Sequence, residues 1–279
     1  MADPVLLVRD LYKSYPIYMG LRKRRAVEDI NFEAAPGDVV AILGPNGSGK
    51  STFLRMLAGV EVPDRGTAQI HGFTAGSREA CRSIGYCPEE SPFPPYLSVK
   101  TCLHDLGVLS GLRGAALQSR MNDSLEKWNL TKEASSRTGR LSRGQARRLA
   151  IAQSLLHNPE ILLLDEPTSG LDALGVITFE ETMRAARAEG KCVLVSSHSA
   201  SDVENMCGRI LLMKNGKKVL DSPADEALTN PALTELLVEN INGERENDVK
   251  KSIEAAGGRV VSIQKRRRSL AELFHSILK

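Results

Sequence analysis

Short apolar runs alternate with amphipathic stretches over most of the chain. The runs lie at residues 38–43, 161–164 and 192–195, and residues 143–157 and about 175–188 repeat apolar side chains at helical spacing. Uninterrupted apolar runs are typical of parallel strands that are buried on both faces. The alternation of strands and helices therefore predicts an α/β fold, in which helices flank a mostly parallel sheet.

The N-terminal part has a different pattern. Residues 5–8 and 26–32 are predicted to be strands of an opening sheet. Between them, residues 15–20 contain a proline and a glycine and are followed by the basic cluster 22–25, so the pattern predicts a loop there. Over residues 97–132 two apolar stripes recur at helical spacing, which predicts an inserted helical subdomain covering about 96–140.

The pattern changes again near residue 223. Two short strands at 210–213 and 217–220 flank an Asn-Gly hairpin turn and end the main domain, predicted to span 1–222. Residues 223–279 are predicted to form a small α/β appendage. Its elements are a strand or helix end at 234–238, a helix at 244–256, a strand at 259–263 and a last helix at 270–278.

Composition narrows the class of protein. The 279 residues are 42% apolar and 25% charged, as in ordinary soluble proteins. No apolar stretch approaches the ~20 residues of a membrane span, and no secretory signal begins the chain. We therefore expect a cytosolic chain unless another protein carries it to a membrane. A net charge of +3 is too small to indicate nucleic-acid binding.

Five cysteines are scattered without C-x-x-C spacing. A metal site or a disulfide would be the functional interpretation. The pattern favours reduced, small core residues instead.

The clearest chemical motif is the segment Gly44-Pro45-Asn46-Gly47-Ser48-Gly49-Lys50-Ser51, a complete G-x-x-x-x-G-K-[ST] phosphate loop. A predicted strand precedes it and a predicted helix start, at 52–58, follows it. A strand, a glycine-rich turn and a helix start aim several backbone N–H groups and the positive helix end at one place. This motif predicts that Lys50 reaches the β- and γ-phosphates of a nucleotide and that the Ser51 hydroxyl binds Mg²⁺.

A second motif stands at the end of the apolar run 161–164, where Asp165 and Glu166 follow directly. A phosphate-loop enzyme needs an acidic residue near Mg²⁺, and Asp165 is placed for that role. Glu166 is then predicted to polarise a water molecule for attack on the γ-phosphate.

With these two motifs the chain resembles the ATP-binding-cassette (ABC) ATPases. Leu141-Ser142-Arg143-Gly144-Gln145 is similar to the family's signature, whose commonest form is LSGGQ. Ser169-Gly170-Leu171-Asp172 resembles its D-loop, and Ser196-Ser197-His198 its switch histidine. Tyr15 stands where the family has an aromatic residue that stacks on adenine. All motifs occur in the family's order.

The resemblance implies the P-loop NTPase fold of the ABC ATPase type, with N-terminal antiparallel strands, and a site built from two cassettes. A second copy of the chain, or a homologous cassette, would contribute its signature to the ATP held by the phosphate loop. The residues implied to contact ATP are Tyr15, Asn46, Gly47, Ser48, Gly49, Lys50, Ser51, Thr52, Ser142, Gly144, Gln145 and Asp172. Those implied in catalysis are Lys50, Glu166 and His198, and those implied to hold Mg²⁺ are Ser51, Glu89 and Asp165.

Glu89 is a departure from the family, which usually has a glutamine there that touches Mg²⁺ and the attacking water. A carboxylate can also bind Mg²⁺, so activity is expected to be retained. The alternatives are that Glu90 occupies the position or that neither residue does.

The leading hypothesis is the ATPase subunit of an ABC transporter on the cytoplasmic face of the membrane, bound to a separate membrane permease. Residues 269–274 resemble the end of ATPases that drive exporters with six-helix permeases, and an ordinary amphipathic terminal helix is the alternative.

A soluble ABC ATPase acting on nucleic acid or ribosomes is a second class. The single cassette and the absence of sustained heptads count against it, so no nucleic-acid partner is expected. A regulatory protein that no longer hydrolyses ATP is a third class, and Glu166 and His198 argue against it. The long loop 15–25 also resembles polysaccharide-exporter cassettes.

Overall fold

A computed structural model describes residues 3–17, 22–90, 93–198, 206–228, 243–256 and 259–261, and within these ranges the strands form two sheets. The strands are β1 (Leu6–Ile17), β2 (Arg22–Ala34), β3 (Val39–Leu43), β4 (Arg65–Ile70), β5 (Phe73–Thr74), β6 (Ile84–Cys87), β7 (Ile161–Asp165), β8 (Cys192–Ser197), β9 (Arg209–Lys214) and β10 (Lys217–Pro223). The helices are α1 (Lys50–Leu57), α2 (Arg78–Ser83), α3 (Val99–Leu109), α4 (Gly114–Lys127), α5 (Arg143–Leu155), α6 (Ala173–Ala188), α7 (Ala224–Leu228) and α8 (Gly243–Ala255), with a 3₁₀ turn at Thr138–Arg140.

The larger sheet has the strand order β10-β9-β3-β8-β7-β6 and is parallel except for the edge strand β10. The smaller sheet, β2-β1-β4-β5, is antiparallel throughout. This arrangement confirms the predicted α/β class with N-terminal antiparallel strands. Because β3, β8 and β7 are parallel neighbours, their carboxyl ends lie at one edge of the sheet, where ligands bind in open α/β folds.

The larger sheet is buried on both faces by two separate apolar clusters. Along β3, Val39 and Ala41 belong to one cluster, and Val40 and Ile42 belong to the other. The first cluster joins the sheet to α3, α4, α5 and α6, and the second joins it to α1 and the smaller sheet. Alternation of this kind follows from the two-residue period of a strand, and it explains why the central strands read as unbroken apolar runs.

The N-terminal hairpin corrects one prediction. Residues 15–17 and 22–25 were predicted to lie in a loop, but they pair as strands, with Tyr15 opposite Arg24 and Pro16 opposite Lys23. Pro16 has no N–H to give to a ladder, so it is tolerated only where one side of a strand is free. That condition holds here because β4 pairs with β1 only as far as Tyr12, and beyond it β2 is the only neighbour of β1 among the described residues.

The cysteines are free. Cys87, Cys102, Cys192 and Cys207 are buried, whereas Cys81 is exposed and was wrongly predicted as a core residue. Cys81 lies on the short helix α2, which was not predicted. Both α2 and the preceding strand β5 are too short to give a recognisable apolar pattern in the sequence.

The chain divides into two units, Met1–Leu228 and Thr229–Lys279. The first unit extends past the predicted boundary at 222 because Ala224, in α7, is buried and donates its N–H to the Gly208 carbonyl. In the second unit the described helix is α8, close to the helix predicted at 244–256, and residues 259–261 have no regular structure. The elements predicted at 234–238 and 270–278 lie outside the described residues. No helix among the described residues is long and apolar enough to cross a membrane.

Candidate nucleotide-binding and active site

The phosphate loop lies between the end of β3 and the start of α1, as its sequence predicts. Gly47 and Gly49 have φ angles of 77° and 105°, which a residue with a side chain rarely adopts. A Cβ on Gly49 would also lie 2.2 Å from the Ala26 carbonyl oxygen, so only glycine lets β2 pack this closely on the loop. Asn46 is exposed at the tip, and Thr52 is half-buried in the first turn of α1.

Lys50 is buried and lies under the loop. Its ammonium group donates to the Gly44 carbonyl at 2.8 Å and lies 3.7 Å from Oε1 of Glu166. A buried cation needs such partners, because burial removes its hydration. These contacts hold the positive charge between the loop and the end of β7.

Asp165 ends β7 and is fully buried. Its Oδ1 accepts from the Ser51 hydroxyl at 3.1 Å and from the Ser196 hydroxyl at 2.6 Å. Its Oδ2 is buried without a hydrogen-bond partner among the described residues. A buried carboxylate oxygen without a donor is costly. The pair Ser51 and Asp165 therefore offers hard oxygen ligands of the kind that Mg²⁺ prefers.

Glu166 has a left-handed backbone, with φ at 49°, which is uncommon for a residue with a side chain and recurs at functional sites. Its N–H donates to the Ser196 hydroxyl at 2.9 Å, which holds the strained residue in place. Oε2 lies 2.8 Å from Nδ1 of His198, whose side chain is 59% exposed while that of Glu166 is 9% exposed. The imidazole is thus the exposed partner of a buried carboxylate.

Two groups next to Asp165 are kept neutral. Burial, and then the charge of Asp165, raise the pKa of Tyr86 to about 12. Burial also raises the pKa of Cys87 to about 11. At neutral pH neither the phenol nor the thiol ionises, so neither side chain adds negative charge to this edge of the sheet.

The predicted signature residues lie at the start of α5. Ser142 is the N-cap: its hydroxyl accepts from the N–H of Gln145 at 3.2 Å, and the Gln145 side chain accepts from the N–H of Ser142 at 2.9 Å. Gln145 also donates to Glu133 at 2.9 Å. This reciprocal capping fixes the helix start and leaves Ser142 exposed.

The segment 169–172 packs against the same helix start. A Cβ on Gly144 would lie 3.0 Å from the Gly170 carbonyl oxygen, and the Arg143 guanidinium donates to the Ser169 hydroxyl at 3.3 Å. Asp172 is the N-cap of α6, where its carboxylate accepts from the Gly175 N–H at 2.9 Å. The structure therefore brings the predicted signature and D-loop together on one surface of the chain.

Among the described residues, the predicted site residues Glu89 and Tyr15 have no hydrogen bond or ion pair with the carboxylates of Asp165 and Glu166. Glu89 has an exposed side chain. Tyr15 is half-buried on the hairpin, with the Lys13 ammonium 5.7 Å from its ring centroid. A role for Glu89 at Mg²⁺ and for Tyr15 at adenine stays a prediction.

Arg147 is a structural residue of the site that the sequence reasoning missed. Its buried guanidinium donates to four carbonyls, those of Pro88, Glu89, Asp165 and Pro167. It therefore ties α5 to the ends of β6 and β7. The signal was present in the sequence, because Arg147 stands on the apolar face of the helix, where a cation must be paired to be tolerated.

The comparisons with known proteins agree with this geometry. The family model described as "ABC transporter" matches residues 27–169. The Nod factor export ATP-binding protein I of Ralstonia nicotianae is 34% identical over 82% of this chain and 70% of its own length. An uncharacterised ABC transporter ATP-binding protein of Bacillus subtilis, YxlF, is 38% identical over 76% of this chain and 69% of its own.

Among solved structures, a dimeric ATP-binding cassette in a post-hydrolysis state, bound to ADP and Pi, superposes with a TM-score of 0.72. It is 25% identical, and the match covers 78% of this chain and 98% of that one. The relatives do not favour a soluble ATPase acting on nucleic acid or ribosomes, nor a polysaccharide-exporter cassette. The chain belongs to the ABC transporter family, and it is an ATP-binding subunit that hydrolyses ATP.

Proposed function

We propose that two copies of this chain bind two ATP molecules between them and drive a separate membrane permease that exports its substrate. The proposal rests on one observation. Four side chains lie together at the carboxyl ends of β3, β7 and β8, namely Lys50, Asp165, Glu166 and His198. The dimeric cassette structure supports pairing, and the name of the Ralstonia nicotianae relative supports export. The permease would hold the chain on the cytoplasmic face of the membrane.

In this proposal the phosphate loop holds the triphosphate. The backbone of Gly47 to Ser51, Lys50 and the N-terminus of α1 supply positive potential at one point. Ser51 and Asp165 would hold Mg²⁺, and the unpaired Oδ2 of Asp165 is the atom that a cation would satisfy. When bound, Mg²⁺ would neutralise negative charge on the phosphate oxygens.

Glu166 is the proposed general base. Its carboxylate accepts the proton of the attacking water, while Lys50 and His198 stabilise the charge that moves onto the transferred phosphoryl group. The contact of His198 with Oε2 of Glu166 orients the carboxylate before ATP arrives. The left-handed backbone of Glu166 presents that side chain beyond the end of the strand.

The site is proposed to be complete only in the dimer. Ser142, Gly144 and the N-terminus of α5 would meet the γ-phosphate that the partner's phosphate loop holds, because a helix start favours an anion. Hydrolysis and phosphate release would then separate the two cassettes. A chain that stays monomeric is expected to bind ATP and to hydrolyse it poorly.

The substitution Glu166→Gln tests the proposed base. It removes the proton acceptor and keeps the side-chain shape, so ATP binding persists, turnover falls by at least about 100-fold and an ATP-bound dimer accumulates. Calorimetry, phosphate release and gel filtration measure the three effects. The control is Glu160→Gln, which changes an exposed glutamate immediately before the same strand. Unchanged turnover in Glu166→Gln would reject the assignment.

A further inference from the structure

We propose that Arg24, on the β1–β2 hairpin, contacts the phosphate chain of bound ATP. A Cβ placed on Gly47 would lie 2.8 Å from Nη2 of Arg24, so this guanidinium covers the middle of the phosphate loop. The inference rests on the proposed binding of the triphosphate by that loop. It extends the site to a residue of a strand that the sequence predicted as a loop.

The guanidinium of Arg24 is available to a ligand. Its side chain is exposed and has no hydrogen bond or ion pair with any described residue. Its neighbour Arg25 differs, because it binds Glu28 at 3.0 Å, and Lys217 lies 3.5 Å from the same carboxylate. A cation without an acidic partner beside an anion-binding loop raises the positive potential that the loop presents.

The register of the hairpin separates Arg24 from its immediate neighbours Lys23 and Arg25. Residues directly opposite each other in an antiparallel pair project from the same face. Arg24 lies opposite Tyr15, whereas Lys23 lies opposite Pro16 and projects from the other face. The face that carries Tyr15 therefore also carries the guanidinium that reaches the loop.

The base of the hairpin is fixed against the phosphate loop. Gly216, in the β9–β10 turn, donates its N–H to the Ser48 carbonyl at 2.9 Å, and its own carbonyl accepts from the Glu28 N–H at 2.8 Å. The Ala26 carbonyl also packs on Gly49. One residue, Gly216, thus bridges β2 and the loop, so Arg24 is held near Gly47 by backbone contacts rather than by its own side chain.

The chemistry of arginine suits this position. A guanidinium stays charged at every relevant pH and donates two parallel hydrogen bonds to phosphate oxygens. Tyr15 would stack on adenine and Arg24 would bind the phosphates, so one hairpin would contact both parts of the nucleotide. This division of roles predicts different ligand responses for the two side chains.

The test measures equilibrium binding of ATP and of inorganic tripolyphosphate, which lacks adenine, by calorimetry. Arg24→Ala is expected to weaken both ligands by the same factor, about ten-fold, since both lose a charge-assisted hydrogen bond. Arg24→Lys is expected to recover part of the loss. The control Lys23→Ala removes the same charge from the opposite face and is expected to change neither ligand by more than about two-fold. Tyr15→Ala is expected to weaken ATP alone.

Two results would overturn the inference while leaving the proposed function intact. In one, Arg24→Ala binds both ligands as tightly as the unaltered chain. In the other it weakens ATP but not tripolyphosphate, which would mean that Arg24 acts only by shaping the hairpin around adenine. An unaltered chain that binds neither ligand would instead reject the phosphate-loop assignment, and the inference with it.

Discussion

The two parts of the proposed ATP site differ in how their side chains are held. At the ends of β3, β7 and β8, contacts join residues that are far apart in sequence, such as Ser51 with Asp165 at 3.1 Å. At the start of α5, Ser142 and Gln145 cap their own helix. Among the described residues no hydrogen bond joins residues 142–145 to the phosphate loop, to Asp165 or to Glu166.

This difference indicates a division of labour. The first part is assembled within one chain, and its charged residues Lys50, Asp165 and Glu166 are buried, as preorganised groups that stabilise transferring charge should be. The second part is capped by its own side chains and Ser142 is exposed, so its helix start is free to meet a charge that the chain itself does not supply. In a symmetric dimer, the first part of one chain and the second part of its partner would form one site. The dimer would then contain two such sites.

The largest expected effect comes from Ser142→Arg, which places a bulky cation at the exposed helix start. Because the change lies outside the chain's own phosphate loop, ATP affinity should stay unchanged, while turnover falls about 100-fold through loss of the partner's contribution. Calorimetry and phosphate release separate the two. Ser135→Arg, at another exposed position before α5, is the control. A large loss of ATP affinity in Ser142→Arg would contradict the division.

Arg147→Lys tests the link between the two parts. A lysine cannot reproduce the fan of hydrogen bonds to four carbonyls, so the free energy of unfolding should fall by about 2 kcal/mol. Urea denaturation without nucleotide measures it. The neighbouring substitution Arg148→Lys is the comparison. Equal stabilities of the two variants would show that Arg147 does not join α5 to β6 and β7.

Glu89→Gln examines the departure at the end of β6. Removing this charge should change the Mg²⁺ concentration needed for half-maximal turnover by about ten-fold, with little effect on ATP affinity. A magnesium titration of ATPase activity measures it, with Glu90→Gln as the matched neighbour. If ATP affinity collapses while the Mg²⁺ response does not move, or if only Glu90→Gln responds, the placement of Glu89 is wrong.

The smallest effect is expected from Arg143→Gly, which gives the signature its commonest family form. The substitution removes the exposed hydrogen bond to Ser169, so ATP affinity should stay within about 0.5 kcal/mol, roughly two-fold. Calorimetry measures it, and Arg140→Gly at an exposed position of the preceding turn is the control. A ten-fold change in affinity would mean that the two parts are coupled within one chain.

Sequence reasoning predicted best where chemistry and periodicity coincide. The phosphate loop needs glycines at fixed positions, and Asp165 and Glu166 end a strand whose apolar run is unmistakable, so each part could be predicted alone. The outer part of the hairpin, residues 15–17 and 22–25, was missed because Pro16 is a loop signal locally. Its tolerance depends on the free side of β1, which only the strand order reveals.

Other contacts depend on tertiary structure in the same way. The Ser196 hydroxyl, which accepts from the Glu166 N–H and donates to Asp165, is 30 residues or more from either partner. Arg24 lies over Gly47 because of the register between β1 and β2, and no local pattern in the sequence shows that register. Long-range pairing of this kind has no short-range pattern.

Mixing two inactive variants tests the shared site most directly. Glu166→Gln lacks the base in its own half, and Ser142→Arg lacks the helix start that its partner needs. In a mixed dimer one site keeps both an unaltered Glu166 and an unaltered Ser142. The chains are combined before ATP is added, and phosphate release is measured.

The mixture is expected to recover about a quarter of the unaltered activity, because random pairing makes half of the dimers mixed and each of these has one intact site. Each variant alone should stay inactive. A mixture whose activity is only the average of the two separate variants would contradict a site shared between two copies of this chain.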